Sequence, residues 1–544
     1  MHNFSSKHGT LRKNAQFPVK TPNFTSKNQI LRKNAQFPVK TPNPTTKCTI
    51  PSQNMEFHAK TSGKPANLNI IAANGLAALQ HRGTESSGLV GSDGVSRDHV
   101  EIIKGHGLVR DVVTEENISK LEHSNVIIGH NRYSTAGKKK SGINCVQPFV
   151  VYTAVGTVAL AHNGELVDAR KKRQQVLHEG VGLSTDTDSE LIAQMIAKAI
   201  ALNVKCHRGG ATGASEPEPI GDITRELAVT MSALNMSYSL LVMTFDRLYA
   251  IRDPFGNRPL CVGTVHHRDD NGTSPPLAYC ASSESCAFPV NARFEFEVRP
   301  GEIVELSPNG IKSVWQMKPS TPQAMCIFEY VYFARNDSEI EGQQVEEVRE
   351  ECGRTMARED GVAADLVGNV PDSSLSAAIG YAAESGIAYE PCLHRNPYVG
   401  RSFIQPNDEL RQNAIKMKFG VLKKKVENKR IVLVDDSIVR GNTMRTLVKM
   451  LREAGAKEVH LRIASPPVKH PCFMGINIPT SRELIAAQKS IDEICEFVGA
   501  DSVRYLSVEG LVSSVQKGIE KATNFATGHC TACLTGKYPV PIDF

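Results

Sequence analysis

The sequence predicts an α/β protein: a first half that mixes strands and helices, and a second half built as a parallel sheet with crossover helices. Three observations carry this. Beyond Gly301, apolar runs ending in turn signals alternate with helical patterns, as in ADLVGNVP and RIVLVDD. The run 431–434, Ile-Val-Leu-Val, has the continuous β-branched and apolar character of a central parallel strand. After it, Met444, Leu447, Val448 and Leu451 recur at helical spacing, and Gly455 suits the C-terminal cap.

The chain opens on a repeat. FSSKHGTLRKNAQFPVKTPN (4–23) is followed by FTSKNQILRKNAQFPVKTPN (24–43), and PTTKCTIPSQN (44–54) begins a decayed third copy. Two copies build no solenoid core, and the arm is polar and proline-punctuated, so residues 1–56 are expected to be disordered. Residues 1–47 hold nine Lys or Arg and no Asp or Glu; the rest of the chain, 54 basic against 57 acidic residues, carries −3. The net charge of +6 therefore belongs to the arm, and the body gives no reason to invoke nucleic acid. A basic, acid-free arm also fits a mitochondrial presequence; Pro18, Pro22, Pro38 and Pro42 oppose that reading by interrupting any amphipathic helix.

From about residue 66 the chain reads as folded. Strands are expected at 126–128, 158–161, 239–244 and 247–251, a helix at 188–202, and surface loops at the polar inserts 207–222 and 266–276. A cysteine-bearing tail, ATGHCTACLTGKYPVPIDF, ends the chain. No run of 18 apolar residues occurs, and Met1 is followed by polar residues, so neither a membrane span nor a secretory start is expected. The 13 cysteines are read as reduced thiols, some of them metal ligands, in a cytoplasmic protein.

The stretch VLVDDSIVRGNT places chemistry at the carboxyl end of a strand, where open α/β sheets bind ligands. Residues 437–443 lead into a helix N-terminus, whose free N–H groups and dipole favour a phosphate, and Gly441 lets the backbone approach closely. Asp435 and Asp436 would repel a bare phosphate. They suit sugar hydroxyls, a divalent cation or a developing ribose cation, so the ligand carries both a sugar and a phosphate. No G-x-x-x-x-G-K-[ST] occurs, which argues against a P-loop nucleotidase.

This stretch resembles the ribose-phosphate motif of type I phosphoribosyltransferases, which bind phosphoribosyl pyrophosphate (PRPP). With LQHRGTESSGLV, AHNGELV, RDPFGNRPL, CIFEYVYFAR, VEGLVSSV and GHCTACLTGKYP in the same order, the chain is similar from about Gly75 to its end to the amidophosphoribosyltransferase family. The resemblance implies an Ntn-hydrolase αββα glutaminase domain at 57–305, a type I phosphoribosyltransferase domain at 306–520 and a cluster-binding tail at 521–544.

VPDSSLSAAIGYA (370–382) resembles the pyrophosphate loop, with Asp372, Ser373 and Ser374. The resemblance sets Ser373 near one Mg²⁺ with Asp435 and Asp436, an oxygen set that suits this ion. It assigns Ser437, Arg440, Gly441, Asn442 and Thr443 to the ribose phosphate. HRNPYVGRSFIQP (394–406) resembles the mobile loop that closes over PRPP, where Arg395 and Arg401 meet phosphates. Pro397 replaces a usual arginine there, which removes one charge contact and stiffens the loop. Asn336 stands where a proline is usual and is read as a turn change.

Cys530 and Cys533 form a C-x₂-C pair, open by itself to zinc, redox chemistry or neither. The resemblance adds Cys326 and Cys472 and implies a structural [4Fe–4S] cluster, with Zn(Cys)₄ as the alternative from ligand chemistry.

For the glutamine half, the resemblance gives Arg132 to the substrate carboxylate, Asp188 to its amino group, and Asn163 and Gly164 to an oxyanion hole. The family uses an N-terminal cysteine in a CGVFG-like strand, with the α-amine as base. That motif is absent. Cys48, in KCTIPSQNM, is the one cysteine upstream of LQHRG and a weak candidate nucleophile. Three readings stay open: a replaced first coding segment, a vestigial domain that leaves an ammonia-dependent enzyme, and cleavage before Cys48.

The implied reaction makes 5-phosphoribosylamine from PRPP and glutamine-derived ammonia. Also implied are ammonia channelling, purine nucleotides as feedback inhibitors and a homotetramer. A PRPP-sensing regulator is the remaining rival; it would need a DNA-reading module, and no helix-turn-helix pattern is present.

Overall fold

The first half is built around antiparallel strands, of which Ser86–Ser92, Leu248–Arg252, Cys261–Val265 and Glu302–Ser307 bury every residue. The computed structural model describes residues 67–133, 142–208, 222–267, 275–399, 408–476, 478, 480–519 and 528–542. An antiparallel six-stranded sheet runs in the order Gly310–Gln316, Glu302–Ser307, Leu248–Arg252, Tyr238–Met243, Gly156–Gly164, Phe149–Thr153. Its alternating side chains serve two cores, as a period of two requires. Val158, Leu160 and Leu240 face the helices Asp188–Arg208 and Thr224–Ala233 through Ile192, Ile196 and Leu227. Ala159 and Ala161 face a three-stranded sheet, Glu101–His106, Ser86–Ser92, Val126–Arg132, through Val90 and Ile128. Helix Leu68–Ala78 covers that sheet's far side with Leu76 against Leu89. The result is the expected stack of helix, sheet, sheet, helix.

The expected strands form. The helix expected at 188–202 runs on to Arg208, because Ala201 to Arg208 contain no breaker before Gly209. The hairpin Glu302–Ser307 and Gly310–Gln316 carries the six-stranded sheet past residue 305. Most of the two polar inserts lies outside the described residues, as do the arm 1–56, residues 400–407 and residues 521–527.

The second half is a parallel sheet in the order Leu366–Asn369, Arg430–Asp435, Glu458–Ile463, Ser502–Tyr505. Arg430–Asp435 is central and apolar on both faces. Val432 and Val434 pack with helices Val345–Glu359, Leu375–Ser385 and Val508–Gln516. Ile431 and Leu433 pack with Met444, Leu447, Val448 and Leu451 of helix Asn442–Glu453, the stripe expected from the sequence. The tail adds a two-residue ladder to this half: His529–Cys530 pairs in parallel with Met325–Cys326, Cys326 opposite Cys530.

Candidate functional site: two cavities sharing a wall

A cavity of about 350 Å³ opens at the strand ends of the first half. Arg132 closes one strand, Asn163 and Gly164 close another, and Asp188 begins a helix; all four line this cavity. Arg132 Nη1 is buried without a hydrogen-bond partner, and its Nε lies 3.8 Å from Glu85. A buried guanidinium N–H left unmade is costly, so this corner is built for an anionic acceptor. Asp188 accepts from the Leu166 N–H at 3.0 Å and stands 3.8 Å from His162 Nδ1. The Asn163 side-chain amide reaches Ser283 Oγ at 3.4 Å, a long bond that a better acceptor would displace. Glu190 fixes the STDTDSE loop by accepting from the Ser184 and Thr185 N–H groups, each at 2.6 Å. Burial holds His130 down to about 3, so the ring is neutral at physiological pH; its Nε2 lies 3.0 Å from the His162 carbonyl.

The proposed nucleophile Cys48 lies outside the described residues. Among the described residues, the cysteine that lines this cavity is Cys145, from ordinary-looking NCVQPF, which sequence reasoning left among core and surface thiols.

A second cavity, about 470 Å³, sits at the carboxyl ends of the parallel strands. Asp372, Ser373, Arg395, Asp435, Asp436, Ser437, Arg440, Gly441, Asn442 and Thr443 all line it. Gly441 has φ +77°, a left-handed conformation that favours glycine, and a Cβ there would also displace the tip of Ile485, 2.8 Å away.

Asp436 is the hub. Ser373 donates its hydroxyl to Asp436 Oδ2, and Ser437 donates to Oδ1 at 2.6 Å. The Asp436 N–H in turn meets Asp435 Oδ1 at 3.0 Å. Burial pushes both carboxyls above the usual range, most strongly for Asp435, where the neighbouring Asp436 charge adds to it. For Asp436, the two serine hydroxyls and the Arg349 charge pull the other way.

Ser374 and Asn336 differ from expectation. Ser374 turns its hydroxyl away from the cavity, to the Val370 and Val434 carbonyls at 2.7 and 3.0 Å, where it ties two strand ends together. Asn336 is more than a turn change: its amide donates to Ser376 at 3.0 Å and its carbonyl oxygen accepts from Arg349. Arg349, which no motif singled out, also donates to the Tyr330 and Ala334 carbonyls at 2.7 and 2.8 Å. Arg395 pairs with Asp372 and Arg440 with Glu483 at 3.0 Å, so both phosphate candidates face carboxylates here. Arg401 lies outside the described residues.

The cavities share Tyr133 and Phe333, whose rings meet edge to face at 6.1 Å. Behind Phe333, Arg82 and Arg258 lie 4.9 and 5.4 Å from its ring centre. Both guanidiniums are fixed by buried Glu329, Arg82 at 2.8 and 2.9 Å and Arg258 at 2.7 Å. Glu284 meets Arg82 at 2.5 Å.

Cys326, Cys472, Cys530 and Cys533 converge beside this wall. Burial pushes all four thiols up, Cys530 to about 11, and the Cys533 thiol feels the other three. Cys472 Sγ accepts from the Met474 N–H at 3.3 Å. Among the described residues, no three His, Cys, Asp or Glu close tightly enough around one point to hold a single metal ion. No helix among them is long and apolar enough to cross a membrane.

Comparison with known proteins points one way. A family model for a glutamine amidotransferase domain matches residues 130–273, and one for a phosphoribosyl transferase domain matches residues 393–464. The amidophosphoribosyltransferase of Mus musculus is 48% identical over 509 residues, which cover 88% of this chain and 96% of the mouse protein. That of Bacillus subtilis (strain 168) is 41% identical over 470 residues, covering 86% and 90%. The solved structure of glutamine PRPP amidotransferase from B. subtilis complexed with ADP and GMP matches with a TM-score of 0.73 at 40% identity, covering 87% of this chain and 95% of that one. A solved structure described as the allosteric regulatory enzyme of purine biosynthesis matches with a TM-score of 0.74 at 41% identity, covering 87% and 94%.

Proposed function

The chain belongs to the amidophosphoribosyltransferase family, and we propose that its two cavities divide that family's purine-biosynthetic reaction between them. In the first, glutamine and water give glutamate and ammonia. In the second, ammonia displaces pyrophosphate at C1 of PRPP: the C1–N bond forms, the C1–O bond breaks, and 5-phosphoribosylamine leaves. The single observation that carries this is the Tyr133–Phe333 wall shared by a cavity that holds Arg132, whose Nη1 lacks a hydrogen-bond partner, and one with an acidic pair at a helix start.

In the first cavity we assign Arg132 to the α-carboxylate, Asp188 to the α-ammonium, and Asn163 with the Gly164 N–H to the developing oxyanion. Cys48 remains the candidate nucleophile, freed by cleavage before it. In the second, the N–H groups of 437–443 take the 5-phosphate, and Asp372, Ser373 and Arg395 meet the pyrophosphate. Ser374 contributes only its backbone N–H. Arg395 and Arg440 exchange their carboxylate partners for phosphate on binding, and Arg401 completes the loop that excludes water.

Ser373, Asp435 and Asp436 fit one Mg²⁺: burial favours the protonated state of both carboxylates even with the Arg349 and Lys418 charges near, so a divalent cation would complete their neutralisation. When bound, that ion would neutralise charge on the leaving pyrophosphate. The four cysteines, buried thiols each within reach of another's charge, fit a structural [4Fe–4S] cluster by ligand type and number. Purified protein should then carry about four iron atoms per chain, and Cys533→Ser close to none, by metal analysis and visible absorbance. Zinc in place of iron would reverse this assignment. The remaining implications are a cytoplasmic homotetramer inhibited by purine nucleotides, with glutaminase and phosphoribosyltransferase domains meeting just beyond Gln316.

The test is pyrophosphate release from PRPP with glutamine or with an ammonium salt. Arg132→Ala should weaken glutamine use about tenfold to a hundredfold while leaving the ammonium reaction intact. Turnover with ammonium alone, in a chain whose intact mass shows no exposed cysteine at its start, would favour the ammonia-dependent alternative. Loss with both nitrogen donors would refute the phosphoribosyl assignment.

A further inference from the structure

The segment 469–476 meets all three centres described above. Cys472 joins the cysteine group, Ile476 lines the phosphoribosyl cavity, and Gly475 lines the glutamine cavity. The tail holds the segment from behind. The N–H groups of Lys469 and His470 donate to the Cys533 carbonyl at 3.0 and 2.9 Å. The Tyr538 hydroxyl donates to the Pro471 carbonyl at 2.8 Å, and its ring meets Phe473 at 5.5 Å. Met474 is buried in a small core with Met236 and Ala324.

Gly475 then presses backbone on backbone. Its φ is +94°, and a Cβ built there would lie 2.7, 2.8 and 3.0 Å from the carbonyl carbon, Cα and oxygen of Gly164. Gly164 is itself crowded by backbone. Its own Cβ would lie 2.1 Å from the Ser237 carbonyl oxygen, and it is the last residue of its strand, registered against Tyr238. Its backbone thus has two backbone neighbours at contact, one from the sheet and one from the cysteine-bearing segment.

We propose that Gly475 is a positioning residue for the Asn163–Gly164 turn: by backbone contact it holds in place the donors that a glutamine carboxamide would meet. The inference rests on the reading of the first cavity as a glutamine site. Gly475 belongs to the half that holds PRPP, so the glutamine cavity is completed from the other half of the chain. A side chain at 475 would push the turn by tenths of an ångström, enough to misaim a hydrogen-bond donor.

The full-length chain tests this with two alanine variants. Gly499 also has a left-handed φ, +76°, but nothing lies within 4 Å of a Cβ built there. Gly499→Ala therefore carries the backbone strain without the contact. Calorimetry with L-glutamine and with PRPP plus Mg²⁺, and amide hydrogen exchange over residues 162–166, would be measured for both. Gly475→Ala should weaken glutamine binding about tenfold and speed exchange at 162–166 by a similar factor, the scale of an overpacked contact. PRPP affinity should hold within about twofold. Exchange at 162–166 that is unchanged, or changed equally by Gly499→Ala, overturns the proposal. Should wild-type protein bind no glutamine, the reading of the cavity falls, and the exchange comparison still decides whether Gly475 sets the turn.

Discussion

Replacing Asp435 and Asp436 together by asparagine should lower PRPP turnover with either nitrogen donor by at least about a thousandfold, while the protein becomes more resistant to unfolding. The two effects share a cause. Burial lifts both carboxyls above their ordinary range, so the folded, metal-free protein holds protons that the unfolded chain has released. In that window stability falls as pH rises, because the Arg349 and Lys418 charges do not offset the cost of ionising a buried pair. Asparagine keeps the shape and removes the charge. Measured against the variant, metal-free wild type should therefore lose thermal stability on going from acid toward neutral pH, whatever trend the remaining carboxylates impose on both. Added Mg²⁺ with PRPP should stabilise the wild type and leave the variant unmoved. Near-normal turnover in the variant, or a variant less stable than wild type at every pH, would defeat the assignment.

Glu329→Ala should be the most damaging single substitution for the fold, costing about 3–5 kcal/mol in the first unfolding transition. Glu329 is fully buried between Arg82 and Arg258, and their charges hold its carboxyl below the usual range although burial, the largest influence, opposes them. Removing it leaves two guanidiniums without their shared partner; only Arg82 retains Glu284. The same two cations flank Phe333, so the wall between the cavities loses its support as well. Denaturant titration reads the first effect. The second appears as a lower yield of phosphoribosylamine per glutamine consumed, with ammonium salt restoring the rate. A destabilisation under about 1 kcal/mol would show that the network contributes little beyond filling space.

What the sequence made legible followed short-range rules. A central parallel strand is apolar on both faces, so 431–434 stood out, and the next helix declared itself by its 3–4 spacing. The convergence of Arg132, Asn163, Gly164 and Asp188 on one cavity was expected only through ordered motif resemblance, since each residue alone passes for a turn or cap. Features that depend on distant packing left no local mark. Arg349 lies within an ordinary charged helix, and only folding sets it beside Asp436. The turn of Ser374 toward Val434 spans 60 residues, and the Asn336–Ser376 bond spans 40. Asn336 and Pro397 were judged as departures from a pattern; the first has partners that give it structural work.

The parallel pairing of His529–Cys530 with Met325–Cys326 joins two stretches that lie far apart in the sequence, with the whole parallel sheet between them. Closing so long a loop costs chain entropy that two ladder residues alone do not return. The tail is therefore held through the packing of the sheet it encloses, and loosening that sheet should free the tail as well.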